Sequence, residues 1–484
     1  MAFVNLTTLF ASGGAAGTGP WLRVDGLGLA LLATVAIVGV TVLAYARRNL
    51  AGAPRAGWFF AGATGVLAGT VTVALAGRLS VLVAGWLVTS ASVVVVLAGR
   101  GDATARRTAR QAAGSLAVGD VALVAAAAAT WWAVGDADLS HLGAVAAELS
   151  SSDAAPLGIG VDVLVPVLLG VAALARAAQV PLHRWLPGTV NAPTPASALL
   201  HAGVVNAGGF LLVRTGPVFA STAVAPSLVV GVSIATILVA GGSALLRRDT
   251  KGQLATSTSA QMGFMLVAAA VGAPIAAMSH LVGHALYKSS RFLGAGDAIR
   301  LSVADRRWSP SVDRPLPVPA RVALAAVAPA VGLAVGWLLV GDQVLKGADG
   351  WVLATALTVT TARACWVWTS RSAGSTVRSA ATGSAVLGSL VVAYLLVATG
   401  LELAIVDSID RAGSGYVSAP LALALLAGLA APGLGALDSA RFGPRIRGAL
   451  APGGGIGRAT GRAPAARRAP LTDTARLNQY QGAS

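Results

Sequence analysis

Cysteine is almost absent from this chain. Its one thiol, Cys365, excludes an internal disulfide and any multi-cysteine metal or cluster site. Charge is also scarce, at 11% of 484 residues. No stretch shows the apolar–polar alternation that a membrane β-barrel needs. The first Lys or Arg is Arg23, so there is no basic leader region and a cleaved signal peptide is not expected. No zinc-ligand cluster, phosphate-cradling glycine loop or nucleophile–base pair appears in a recognisable setting. The chain is therefore expected not to be an enzyme and to carry no cofactor.

Long apolar runs are abundant. The chain is 55% hydrophobic with a mean hydropathy of +0.74. Runs of about 20 residues recur along its length, each long enough for a hydrocarbon core of roughly 30 Å. The fold class read from this is all-α, a polytopic membrane helical bundle of about 13 transmembrane helices (11–14). The expected spans are 24–46, 57–77, 79–99, 115–135, 160–180, 194–219, 226–246, 254–272, 275–297, 321–340, 350–370, 379–400 and 417–437. The net charge of +16 would suggest nucleic acid in a soluble protein. Here it reads as loop charge that sets orientation, so no nucleic-acid partner is expected and the bilayer is. With the N-terminus outside, 25 Lys and Arg fall on the cytoplasmic side and 4 on the other, as the positive-inside rule requires. Three segments follow: residues 1–23 outside, a transmembrane domain over 24–438, and a Gly/Pro/Arg-rich tail over 439–484 that reads as disordered and cytoplasmic. The expected location is the cell (cytoplasmic) membrane, multi-pass.

Ionisable residues inside a bilayer are costly and usually face the protein interior or a water-filled path. The densest group is HLVGHALYKSSR, residues 280–291. At about 100° per residue, His280, His284, Lys288 and Arg291 fall within an arc of about 80°, with Tyr287 about 20° outside it. The stripe is about 16 Å long at 1.5 Å per residue. Histidine changes charge near neutral pH, so such a stripe suits proton relay. The alternative is a polar seam between helices; four groups on one face favour the path.

A second group is ARAAQVPLHRWLPGTVNAPTPASALLHAGVVNAGGFLLVR, residues 175–214. Arg176 lies in an apolar span that Pro181 and Pro187 then interrupt. Broken membrane helices are tolerated where they are packed in protein or line a cavity, and they commonly mark ion sites. Thr194 and Pro195 read as N-cap and first residue of the next helix. His201 lies on that helix near mid-membrane, Arg214 closes it, and His183 reads as structural. A third stretch, RRDTKGQLATSTSAQMGFM, residues 247–265, places Asp249 and Lys251 at a membrane boundary. It also gives Ser257, Thr258, Ser259 and Gln261 the chance to bond across helices. Asp25 and Asp120 read as local partners for arginines.

These residues resemble a known family. ARAAQVPLHRWLP with APTPASALLHA, then TSTSAQMGFM, then HLVGHALYKSSRFLGAG are similar, in order, to the proton-conducting antiporter-like subunits of respiratory complex I and Mrp-type antiporters. The likeness covers roughly residues 22–300. It implies two inverted five-helix repeats with broken helices, and a hydrated mid-membrane row of ionisable groups. Carried over singly, Arg176 matches the broken-helix lysine, His201 the bridging group, and His280, His284 and Lys288 the central relay. Asp25, Asp120, Asp249 and Lys251 match further family positions. The family's mid-membrane glutamate has no counterpart in GWLVTS, residues 85–90, where Leu87 follows Trp86. Its lysine is here Arg176, which effectively never deprotonates, and Lys346 matches the distal lysine poorly.

LLHAGVVNAGGFLLVR and GHALYKSSRFLGAG most resemble the membrane subunits of the DAB inorganic-carbon transporters (DabB). That resemblance implies cation flow, of protons by this reading, coupled to CO2 hydration in a large soluble zinc β-carbonic-anhydrase-like partner of the DabA type. The zinc is expected in that partner. The alternatives are a proton-translocating subunit of a complex I-like or Mrp-type assembly, and a non-conducting membrane scaffold.

Overall fold

The computed structural model describes residues 21–247, 249–296, 316–341, 346–369, 377–409 and 416–417. The thirteenth expected span, 417–437, all but its first residue, and the 439–484 tail lie outside the described residues, as do residues 1–20. Fourteen helices of eight residues or more are described. They are α1 Gly26–Asn49, α2 Ala56–Ala74, α3 Leu79–Ala98, α4 Ala103–Val134, α5 Leu142–Ser151, α6 Val161–Arg176 and α7 Thr194–Ala202. The others are α8 Ala207–Arg214, α9 Val224–Leu246, α10 Thr250–Ala270, α11 Pro274–Leu293, α12 Val318–Val340, α13 Gly347–Thr369 and α14 Val377–Ile405. Extended pairing among the described residues is limited to two isolated bridges, Leu22 with Ala76 and Arg78 with Asp138.

Among the described residues, eight helical segments are long and apolar enough to cross a bilayer. The helices α5, α6, α10, α11 and α13 are not among them, although spans were expected over α6, α10, α11 and α13. α5 and α6 are 10 and 16 residues long, and α10 and α11 carry the hydroxyl, His and Lys side chains of the polar sequence stretches. Tight contact supplements apolar burial, as bilayer helices require. Where α2 crosses α3, a Cβ on Gly69 would sit 2.4 Å from Thr89 Oγ1, and one on Gly85 2.8 Å from Gly69 O. Neither position accepts a side chain without moving the helices apart.

Several elements differ from the sequence expectation. α4 is 32 residues, about 48 Å long at 1.5 Å per residue. It begins twelve residues before the expected span because the Arg-rich segment, poor in hydropathy, is rich in helix formers. Asp102 caps it, accepting from Ala105 N at 2.7 Å. α5 was not expected: it is too short to span, yet Leu142, Val145 and Leu149 give it one buried face.

The expected span 194–219 is not one helix. After α7 the chain tightens at Gly203 into a 3-10 turn, Val204–Asn206, before α8 begins. Asn206 Nδ2 donates to Ala202 O at 2.7 Å, occupying a carbonyl freed by the irregularity. The N-cap of α7 is Pro193, and Thr194 is its first helical residue, one position on from the expected cap.

The break between α6 and α7 is where the prolines place it. α6 stops at Arg176; Ala178 adopts a left-handed φ of 52°, and short helical turns occupy Leu182–Arg184 and Trp185–Gly188. Val180 N donates to Thr236 Oγ1 at 2.9 Å and Gln179 Nε2 to Ser259 O at 3.1 Å. Side chains and carbonyls of α9 and α10 thus serve the freed backbone and the buried amide, as membrane depth demands. Among the described residues, α12, α13 and α14 each run without such a break.

Candidate functional site

Three polar groupings lie inside the bundle. The first joins α3, α4 and α6. Arg176, at the C-terminal end of α6, is 1% exposed. Its Nη2 donates to Ser90 Oγ at 2.8 Å and Trp86 O at 3.1 Å, and lies 3.5 Å from Asp120 Oδ1. The guanidinium stacks over the Trp86 ring, 4.1 Å from its centroid. The same Asp120 oxygen accepts from Trp86 Nε1 at 3.0 Å and Ser90 Oγ at 2.8 Å. The sequence places no carboxylate within GWLVTS, but the neighbouring helix brings one to it. Asp120 and Arg176 thus form a buried pair of opposite charges between α4 and α6.

The second grouping centres on His201 of α7, which is fully buried. Its Nε2 lies 2.9 Å from Thr189 Oγ1 and its Nδ1 3.1 Å from Thr258 Oγ1. The ring stacks on Phe292 with centroids 4.6 Å apart. His284 Nε2 reaches His201 O at 3.1 Å, which ties α11 to α7.

The third grouping is on α11. Lys288 is 0% exposed, and its ammonium donates to Leu254 O and Ser257 Oγ of α10, each at 2.8 Å. The rings of His284 and His280 follow with centroids 5.7 Å apart, and His280 meets the Phe264 ring edge at 5.0 Å. Arg291 and Tyr287 do not join this row. Tyr287 is 52% exposed and Arg291 is exposed. The buried face of α11 is set by Leu281, His284, Ala285, Lys288, Ser289 and Phe292. Its centre lies about 90° from Arg291 and about 130° from Tyr287 at 100° per residue. The ionisable stripe straddles the edge of that face, so only part of it points inward.

The remaining sequence candidates have structural surroundings. Asp25 caps α1 by accepting from Gly28 N at 2.8 Å, and pairs with Arg214 Nη2 at 2.9 Å and Arg23 Nε at 2.7 Å. Arg23 also donates to Leu139 O. This cluster ties α1, α8 and the α4–α5 connection at one end of the bundle. Asp249 caps α10 through Gly252 N at 2.6 Å, and Lys251 is half-buried in the first turn of that helix. His183 is half-buried in the helix break, and Lys346 is exposed just before α13.

Sequence reasoning missed Thr189, which touches His201 from the broken segment, and Asp349. Asp349 is buried in the first turn of α13 and accepts from Ala276 N of α11 at 2.9 Å. Asp in an apolar helix start was the available signal for Asp349; a lone threonine gave none. Among the described residues, no three His, Cys, Asp or Glu side chains come together as metal ligands do.

A bundle of apolar helices around buried Arg, His and Lys, with one helix broken beside them, defines a polytopic membrane protein of antiporter-like architecture. Residues 76–309 match the transmembrane family described as NADH:quinone oxidoreductase/Mrp antiporter.

Among curated proteins, the chain is similar to the "Probable inorganic carbon transporter subunit DabB1" of Halothiobacillus neapolitanus, with 39% identity over 183 residues, 38% of this chain and 32% of that one. It is 46% identical to the DabB subunit of Bacillus anthracis over 134 residues, 28% of this chain and 26% of that one. It is 38% identical to a probable K(+)/H(+) antiporter protein of Rhizobium meliloti over 283 residues, 57% of this chain and 27% of that one. The chain thus matches a third or less of the length of these relatives. Among solved structures, the Mrp complex from Dietzia sp. DQ12-45-1b shares the fold at a TM-score of 0.61. The sequence identity is 23%, covering 89% of this chain and 51% of that one.

Proposed function

We propose that this chain is the membrane subunit of an energy-coupled inorganic-carbon uptake system. It conducts cations, protons in this reading, to drive CO2 hydration in a soluble DabA-type partner that carries zinc. The single observation that carries the reading is the buried row His201–His284–Lys288. These side chains sit in the bilayer-crossing bundle on three successive contacts between α7, α10 and α11, a costly arrangement without a transport role. Similarity to carbon-transporter subunits supplies the substrate class. The Arg176–Asp120 pair acts as a fixed charge beside the path. The N-terminus lies outside and the C-terminus in the cytoplasm of a cell membrane, as the loop charges indicate.

Energetically the scheme closes. One proton falling through 100 mV releases about 2.3 kcal/mol, more than the roughly 1.4 kcal/mol of a tenfold bias in an equilibrium.

The second reading is a proton-translocating subunit of a complex I-like or Mrp-type assembly, favoured by the family match and the antiporter relative. The experiment is CO2-dependent growth of a carbonic-anhydrase-deficient host making this chain with its partner. Rescue by wild type and loss in Lys288→Ala and His284→Ala, at matched membrane abundance, is the expected result. Rescue by all three assigns a scaffold role instead. Failure of the wild type, with both proteins stably made, moves the reading to the redox or antiporter assembly.

A further inference from the structure

The carbonyl of Leu254 is oversubscribed. A backbone carbonyl has two lone pairs, and the helical N–H of Thr258 takes one. Three side-chain donors converge on what remains: Lys288 Nζ at 2.8 Å, Thr258 Oγ1 at 2.9 Å and Ser257 Oγ at 3.0 Å. Ser257 also accepts from Lys288 at 2.8 Å. Thr258 has an alternative, because its oxygen is 3.1 Å from His201 Nδ1. A matching choice exists on the other side of the ring. Thr189 Oγ1 donates to Leu186 O at 2.7 Å and lies 2.9 Å from His201 Nε2.

These distances allow two complete hydrogen-bond patterns around a neutral His201. In one, charged Lys288 holds the Leu254 carbonyl by a charge-assisted bond, the stronger kind. Thr258 then donates to Nδ1, the ring proton sits on Nε2 and is given to Thr189, and the Thr189 hydroxyl donates to Leu186 O. In the other, Lys288 is uncharged and Thr258 donates to Leu254 O. Nδ1–H now donates to Thr258, and Thr189 turns from Leu186 to donate to Nε2. The two patterns differ in which ring nitrogen carries the single proton and in the direction of two hydroxyls. Between the first and the second, Lys288 gives up the Leu254 carbonyl to Thr258, Thr189 gives up the Leu186 carbonyl, and the proton that Lys288 loses is released to the path of the conduction reading.

We propose that Thr189 and Thr258 are positioning residues that make the tautomer of His201 follow the charge of Lys288. The inference deepens the conduction reading and rests on it for its purpose: it supplies a link between the α11 row and the α7 histidine without direct contact between Lys288 and the ring. The other titratable groups of this region, His284 and His280, also lie on α11. His284 touches the backbone oxygen of His201 and not its ring. Phe292 covers one ring face and offers no competing donor.

The test is solid-state NMR of the full chain with its partner in lipid, labelled with 15N-histidine. His201→Gln identifies the signal. The expected result is protonation at Nε2 in the wild type and at Nδ1 in Lys288→Met, which removes the charge and keeps the bulk. Thr258→Val abolishes that exchange and Thr258→Ser retains it, a difference that a merely space-filling threonine does not produce. One tautomer in both wild type and Lys288→Met, or an exchange that persists in Thr258→Val, overturns the proposal. Proton flux in the same proteoliposomes judges the conduction reading separately: a wild type without flux counts against that reading and leaves the tautomer result standing.

Discussion

The two buried charge sites of this molecule solve the cost of burial in opposite ways. At Arg176 a permanent cation meets a carboxylate, a hydroxyl, a carbonyl and an indole face, all within α3, α4 and α6. At Lys288 no carboxylate among the described residues is in contact; a carbonyl and a hydroxyl of α10 receive the ammonium, and two histidines extend the row along α11. A buried ion pair holds its charge, since neither partner is readily discharged alone. A lysine held only by neutral dipoles has no counter-charge that fixes its charge state. On the proposed reading the first site stays as it is and the second changes.

The largest expected effect breaks the first site. Asp120→Ala leaves Arg176 buried without a counter-charge, a loss of about 3–5 kcal/mol. It is expected to cut folded protein in the membrane severely, as read by abundance and fluorescence-detected chromatography. Replacing both partners together, Asp120→Leu with Arg176→Met, is expected to restore abundance, since apolar replacement of a buried pair is often neutral or better.

Next in size is loss of function without loss of fold. Lys288→Met is expected to reduce proton flux by about 100-fold or more, the scale of a removed proton-transfer group, with membrane abundance unchanged. A sharpening pair follows. Tyr287→Phe and Arg291→Gln, outside the buried face of α11, are expected to leave flux within about twofold of wild type, because surface substitutions are commonly within about 0.5 kcal/mol.

The smallest effect concerns Asp102, at the N-cap of α4. The Ala105 N–H that it accepts holds its carboxyl below the usual carboxylate range. Its folded value is depressed, so its contribution is fully present above the unfolded value of about 3.9. That contribution fades as pH falls through the lower folded value. Asp102→Asn is expected to flatten this part of a thermal-stability profile between about pH 5 and pH 3, measured by thermal unfolding in detergent.

Much of this was legible in the sequence, and the reasons for the rest are specific. The all-α membrane bundle, the break at Pro181 and Pro187, and the inward direction of His284 and Lys288 follow from apolar length, proline chemistry and helical period; the number of spans does not. Periodicity places residues on one arc of a helix but does not say which part of that arc meets a neighbour. That is why Tyr287 and Arg291 share the stripe in sequence and lie outside the buried row. The partner of Arg176 was hidden for a related reason. Asp120 is on α4, 34 residues beyond Trp86 in the chain, and only the packing of α3, α4 and α6 brings the two together. The contacts of His201 with Thr189 and Thr258 are hidden in the same way, since a threonine in an apolar segment carries no sign of what its hydroxyl meets.

The most direct test is proton flux in proteoliposomes holding this chain and its partner, comparing Asp120→Leu/Arg176→Met with Lys288→Met at equal protein content. The account predicts that flux survives in the double variant and disappears in Lys288→Met. Flux that disappears in the double variant and survives in Lys288→Met would contradict it, and would place the working site at the arginine pair.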